Sequence, residues 1–212
     1  MPESLTAAEP QRRPRGRPRK APDALDEGNR RQELLRGAAR LFRNKGFAAT
    51  TTRDIAAAAG MQSGSPFYHF ESKAALLFAV MEQGMRAALQ RQAEVPESAR
   101  PEERLRGLVR THFDILLGPG SDFIPVMLYE WRSLTAMQRG TIQKLQRDYE
   151  GAWASALSAL SKAGRLQADA RVARLMFLGA LNWSVQWYQP KKGASLDELT
   201  EIAMQLFVPR PR

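Results

Sequence analysis

The sequence predicts an all-α protein of about nine helices, with a three-helix helix-turn-helix unit first and a larger helical region after it. Two observations predict this, and a third bears on the partner. Apolar residues recur at three- and four-residue spacing along most of the 212 residues, and strand-type alternation is absent. The stretch from Thr50 to Lys73, TTTRDIAAAAGMQSGSPFYHFESK, reads as two short helices about a glycine turn. The net charge is +10, from 32 Lys and Arg against 22 Asp and Glu, which points to a polyanionic partner.

Composition also excludes several classes. There is no cysteine, so disulfides, thiolate zinc sites and cysteine nucleophiles are ruled out, and a reducing, cytoplasmic setting fits. No run approaches the ~18 consecutive apolar residues of a membrane span. The first residues lack the apolar core of a signal peptide. No internal repeat is visible.

Residues 1–26 are rich in Pro, Ala and charge, a composition that predicts a disordered basic arm. Within it, Arg15-Gly16-Arg17-Pro18 resembles an AT-hook. Proline keeps such a segment extended, glycine lets it approach the groove floor, and Arg15 and Arg17 are drawn to the narrow minor groove of A·T-rich DNA. The bland alternative is a solvated tail that adds only phosphate attraction. A DNA-contacting arm is the preferred reading, and base preference within it stays open. The first helix is expected from about Glu27 to Lys45. Leu34, Leu35, Ala38, Leu41 and Phe42 share one face, with arginines around it. Arg30 or Arg31 is placed to touch phosphate, Gly46 caps the helix, and Phe47 closes the core of the small unit.

In the helix-turn-helix, Thr51 suits the N-cap of the first helix, with Asp54 three residues on. Gly60 suits the left-handed residue that ends it. The second helix is expected from Ser63 to His69. Thr50 and Thr51 fall where hydroxyls and free amides hold phosphate. Arg53 lies in a first turn, within reach of phosphate or a base edge. Gln62, Ser63 and Ser65 lead the second helix and are the base-reading candidates; Gln62 suits bidentate pairing with adenine. Tyr68, His69 and Lys73 would grip phosphate at its far end, and Phe70 reads as core.

From about Arg31 to Leu77 the sequence resembles the DNA-binding domain of the TetR family of bacterial repressors. The match is carried by Ala39, Leu41-Phe42, Gly46-Phe47, Thr50-Thr51, Asp54-Ile55-Ala56, Gly60, Gly64-Ser65, Tyr68-His69-Phe70 and Ser72-Lys73. There are two departures. Pro66 replaces the usual leucine or isoleucine, which is tolerable in a first helical turn where no amide bond is lost. Phe67 replaces the usual tyrosine, so one DNA-contacting hydroxyl is missing and Tyr68 stands in for it.

A long helix from Lys73 to about Gln92 carries Leu76, Leu77, Val80, Met81 and Met85 and is expected to couple the two parts, the boundaries being 1–26, 27–75 and 76–212. A linker spans Glu94 to Pro101. Leu105, Leu108, Val109, His112, Phe113 and Leu116 form the next amphipathic stripe, ended by Gly118-Pro119-Gly120. A short helix is expected from Phe123 to Leu134, and a long one from Thr135 to Ala163. The helix from Asp169 to Trp187 is apolar nearly all round, so burial on several sides is expected. The last, Ser195 to Phe207, opens with a Ser195/Glu198 capping box. The final two helices are the expected contact of a homodimer, since the outer face of such a helix would otherwise meet water. His112, Phe113, Met127, Trp131, Tyr149 and Trp183 are the candidate lining of an effector cavity, with Glu130 and Arg132 near its polar end. Plain core is the alternative for each residue singly.

Together these readings give a bacterial, nucleoid-associated transcriptional regulator: a homodimeric repressor released from an inverted-repeat operator by a small hydrophobic effector, an acyl-CoA or an aromatic compound. No cofactor, metal, membrane or catalytic residue is implied, because His69 and His112 belong to no acid, base or nucleophile constellation. The rivals are an effector-independent nucleoid-type DNA-binding protein and, less well supported, a helical-pocket enzyme or a membrane-surface protein.

Overall fold

The computed structural model describes residues 24–61, 66–97, 100–190 and 192–208. Among them lie nine α-helices and no strand. The helices are α1 (Ala24–Lys45), α2 (Thr52–Ala58), α3 (Pro66–His69), α4 (Lys73–Ala93), α5 (Pro101–Leu117), α6 (Phe123–Glu130), α7 (Ala136–Lys162), α8 (Ala170–Trp187) and α9 (Leu196–Phe207). The basic arm, Arg15 and Arg17 included, lies outside the described residues, as do Gln62, Ser63 and Ser65.

Helix α1 buries Leu34, Leu35, Ala38, Ala39 and Phe42, while Arg36, Arg40 and Arg43 stay exposed. Its stripe therefore faces α2 and α4, and its charge faces water. Gly46, at φ +79°, turns the chain back into α2. Gly37 lets α2 approach closely: a Cβ there would sit 3.3 Å from the Ala58 Cβ. The α2 start is a reciprocal capping box between Thr51 and Asp54, and Gly60, at φ +64°, ends it.

Helix α4 packs against α1 on one side and against α5, α6 and α7 on the others. One hydrophobic core consequently runs without a break from Leu34 to Val208. Gly84 lets α6 lie almost on the α4 backbone, since a Cβ there would meet the Phe123 Cβ at 2.7 Å. In the large region, Trp153 of α7 is fully buried against His112 of α5 and Phe177 of α8, and Phe177 stacks on Phe207 of α9. Arg106 and Arg110 of α5 pair with Glu201 and Asp197, fastening α9 at the surface.

Two expectations change. The helix placed from Phe123 to Leu134 stops at Glu130, and Trp131–Ser133 form a 3₁₀ turn in which the Ser133 hydroxyl donates to Glu130. Helix α8 is not buried on several sides within one copy. Only Ala173, Phe177, Leu181 and Ser184 are buried, whereas Val172, Leu175, Met176, Trp183 and Trp187 are exposed, as are Ile202 and Leu206 of α9. Neighbouring helices cover one stripe of α8, and its opposite face is left uncovered.

Candidate functional site

The reading unit is built at the α2–α3 corner. Thr51 is exposed and its hydroxyl accepts from the Asp54 amide, while its own amide donates to Asp54 at 2.9 Å. That amide, then the Thr51 hydroxyl and then Lys45, holds the Asp54 carboxyl below the usual carboxylate range. The Thr51 amide is thus not free for phosphate, and its hydroxyl is engaged in the same cap. Thr50 needs a fuller correction. It is buried, and its hydroxyl donates to the Gly46 carbonyl at 2.7 Å, so it locks the turn after α1 and offers DNA nothing.

Arg53 is exposed on the first turn of α2. Tyr68 is 84% exposed, and its ring meets His69 edge-on. His69 is half-buried. The side chain of Phe67 lies outside the described residues. Phe70 is buried, with the Arg31 guanidinium 5.0 Å from its ring centre. Lys73 is the second correction. Its ammonium donates to the carbonyls of Phe47 and Thr50, both at 2.8 Å, and lies 4.4 Å from the Phe47 ring centre. It clamps the α1–α2 loop to α4 instead of gripping phosphate.

Helix α6 joins this unit to the large region. Arg43 pairs with Asp122 at 3.0 Å just before α6, and at its far end Glu130 accepts the Phe47 amide at 2.8 Å. Glu130 therefore faces the α1–α2 loop, not the end of a ligand, and Arg132 is exposed. The inner side of α6 supplies Ile124, Met127 and Leu128 to a cavity of about 70 Å³, shared with α4, α5, α7 and α8. His112, Met127 and Tyr149 come together there as expected. Phe113 is instead buried core, Trp131 packs against the core from the 3₁₀ turn, and Trp183 is 65% exposed on the outer face of α8. Around a helix apolar on most sides, the spacing alone did not say which way Trp183 points.

The polar end of the cavity was only partly foreseen. Asn182, Gln146 and Glu150 line it; an asparagine inside the apolar α8 run was the available signal for the first. His112 Nδ1 lies 2.9 Å from the Tyr149 hydroxyl, and Nε2 lies 3.2 Å from Asn182 Oδ1. Burial drives the His112 pKa down to about 4, so the ring is neutral at pH 7. Burial also pushes the Tyr149 hydroxyl up, which keeps its proton in place. With Asn182 Oδ1 as an acceptor, Nε2 carries the imidazole proton and Nδ1 accepts from Tyr149. Among the described residues no group of three or more metal-ligating side chains occurs, and no helix is long and apolar enough to cross a membrane.

The sequence matches the family model for bacterial regulatory proteins of the tetR family over residues 34–80, and that for the tetracyclin repressor-like C-terminal domain over residues 98–209. It is 31% identical over 188 residues to the HTH-type transcriptional repressor KstR2 of Rhodococcus jostii (strain RHA1), spanning 87% of this chain and 92% of that protein. The structure of ketosteroid transcriptional regulator KstR2 of Mycobacterium tuberculosis superposes with a TM-score of 0.75 at 25% identity, over 85% of this chain and 96% of the other. AibR in complex with isovaleryl coenzyme A and operator DNA gives a TM-score of 0.80 at 28% identity, over 86% of this chain and all of that one, its coverage being 100%. The superantigen PfiT gives 0.72 at 36% identity, over 88% and 100%.

Proposed function

Because the chain belongs to the TetR family of bacterial regulatory proteins, we propose that it works as a homodimer on an inverted-repeat operator and leaves it when a small, mainly apolar effector enters the cavity. It is a ligand-responsive, DNA-binding repressor. We assign DNA reading to residues 27–75, effector binding and dimerisation to 76–212, and an auxiliary DNA-contacting role to the basic arm of residues 1–26. Arg53, Tyr68 and the exposed Thr51 side chain are assigned to the DNA face, together with Gln62, Ser63 and Ser65. The setting is cytoplasmic and nucleoid-associated, and no catalysis is assigned.

One observation carries this reading: α6 touches the cavity and the reading unit at once. Its inner residues line the cavity, and its ends hold Arg43 and the Phe47 amide. A ligand that displaces Ile124 or Met127 must move α6, and α6 then pulls the loop that Lys73 and Thr50 keep rigid. Close-packed interiors transmit such a shift instead of absorbing it. The reading heads of a dimer would be respaced, and the ligand would favour whichever spacing it binds more tightly.

The net charge of +10 supports the rival of an effector-independent nucleoid-type protein driven by the basic arm. A mobility-shift assay on the DNA flanking this protein's own gene separates the two, using the full chain and a version lacking residues 1–26. Specific retention that survives the truncation and is reversed by an acyl-CoA supports the repressor. Salt-sensitive binding to any DNA, abolished by the truncation and blind to small molecules, overturns it.

A further inference from the structure

A second pocket lies apart from the inner cavity, at the C-terminal end of α4. On that helix Met85 and Ala88 line the inner cavity, whereas Leu89 and Gln92 line a groove of about 400 Å³ shared with α5, α7 and the segment after α4. Small residues set its shape. Gly107 of α5 lets Val95 lie against that helix, since a Cβ there would come within 2.9 Å of a Val95 methyl. Gly151 of α7 borders the groove, and a Cβ there would meet nothing within 4 Å. Leu89, Val95, Leu108 and Ala152 make the walls apolar.

Two donors of this groove lack acceptors. Gln92 is only 7% exposed, and its Nε2 has no hydrogen-bond partner among the described residues. Arg104 also borders the groove, and its Nε is likewise buried without a partner. The rest of that guanidinium is poorly answered. Nη1 donates to Ser155 Oγ at 3.5 Å, the limit of a hydrogen bond, and Nη2 donates to Glu97 at 3.3 Å. The Arg104 side chain is 14% exposed and that of Glu97 89%. A largely buried cation thus faces a counter-ion that stays in water, which offsets little of the cost of burial. Buried donors without acceptors are uncommon in folded proteins, and each costs free energy that an acceptor would recover.

We propose that this groove is a second ligand site and that it takes a small monocarboxylate with an apolar body. The carboxylate oxygens accept from Gln92 Nε2 and Arg104 Nε, and the hydrocarbon lies along Leu89, Val95 and Leu108. The Gln92 amide turns about a soft terminal torsion, so it can present its N–H groups to the groove without moving α4. One negative charge suits the site and two do not, because Glu97 and Asp148 also border it and would repel a phosphate dianion. A neutral amide would pair with a donor but leave the guanidinium charge unanswered. Gln92 belongs to α4 and Arg104 to α5, so the bound carboxylate ties these two helices together, at the end of α4 opposite Lys73.

The test is calorimetric binding of hexanoate, hexanamide and inorganic phosphate to the full chain, with thermal unfolding followed on the same samples. Hexanoate is expected to bind at least ten-fold more tightly than the other two and to raise the melting temperature. Gln92→Met keeps the length of the side chain and removes an amide that has no partner, so it should fold as the parent does and bind hexanoate at least ten-fold more weakly. Gly151→Leu fills the groove from a helical position with open space before it, and should abolish binding with the circular dichroism spectrum unchanged. Should Gln92→Met fail to fold, Gly151→Leu and the ratio of hexanoate to hexanamide still decide the matter. No hexanoate binding at millimolar concentration, hexanamide or phosphate binding as tightly as hexanoate, or hexanoate binding both variants as it binds the parent would each overturn the proposal. None of these measurements involves DNA, so the site stands or falls apart from the repressor reading.

Discussion

Lys73 and Tyr68 look alike in sequence, two polar residues at the far end of the reading helix, and the structure gives them opposite roles. Lys73 spends its ammonium on two backbone carbonyls; Tyr68 spends nothing. Lys73→Met should therefore lower stability by roughly 2 kcal/mol, because it leaves the Phe47 and Thr50 carbonyls unpaired. It should leave the salt dependence of DNA binding unchanged, whereas a phosphate-gripping lysine would reduce that slope by about one. Tyr68→Ala should do the reverse, with stability within about 0.5 kcal/mol of the parent and weaker binding to all DNA sequences alike. Urea titrations and binding isotherms at several salt concentrations check both. His112 makes a pH prediction. Its folded pKa, about 4, lies below the ordinary value of 6.5. The unfolded chain thus binds the extra proton between those values, and stability is fully present above pH 6.5 and falls as pH drops toward 4. Between pH 7 and 4.5 this one group should cost roughly 2 kcal/mol. His112→Gln should remove that part of the acid dependence; an unchanged difference between the two pH values would mean the ring is not buried neutral.

Legibility at the level of elements followed local rules. Every helix was legible in kind, though α6 ends four residues early, and the caps read at Thr51 and Ser195 close as reciprocal boxes, because capping chemistry acts over three residues and is written within them. What was not legible depended on residues far apart in the chain. Capping rules picked Thr51 as the N-cap but did not show that Thr50 is buried; its tie to Gly46 does. Glu130 read as a ligand partner, and it is a clasp because Phe47, 83 residues away, presents an amide to it. This gives α6 its own prediction. Glu130→Ala should leave effector affinity, read by calorimetry, nearly unchanged. It should raise the effector concentration needed to release DNA by about five-fold, the loss of roughly 1 kcal/mol of coupling. Equal affinity and equal release concentration would mean α6 does not carry the signal.

For the molecule as a whole, the decisive fact is an unbroken core that leaves a broad apolar face of α8 and α9 uncovered. The sequence showed that α8 is apolar on most sides but not how much of it its own chain would cover, since that depends on where α5 and α7 lie. A face bearing Leu175, Met176, Trp183, Ile202 and Leu206 suits a second copy of the same face. Trp183→Glu should weaken self-association about 30-fold or more, the equivalent of roughly 2 kcal/mol, and operator binding should fall with it. Sedimentation velocity reads the first and a mobility shift the second.

The central claim, that ligand binding respaces two reading heads, can be measured directly. The chain has no cysteine, so Ala57→Cys, exposed on α2, is a single site for a nitroxide label in each copy. Pulsed dipolar spectroscopy should give one narrow inter-head distance on operator DNA, and a different one when the same sample is saturated with effector. No dipolar signal at all, or one distribution shared by the free, DNA-bound and effector-bound protein, would contradict it.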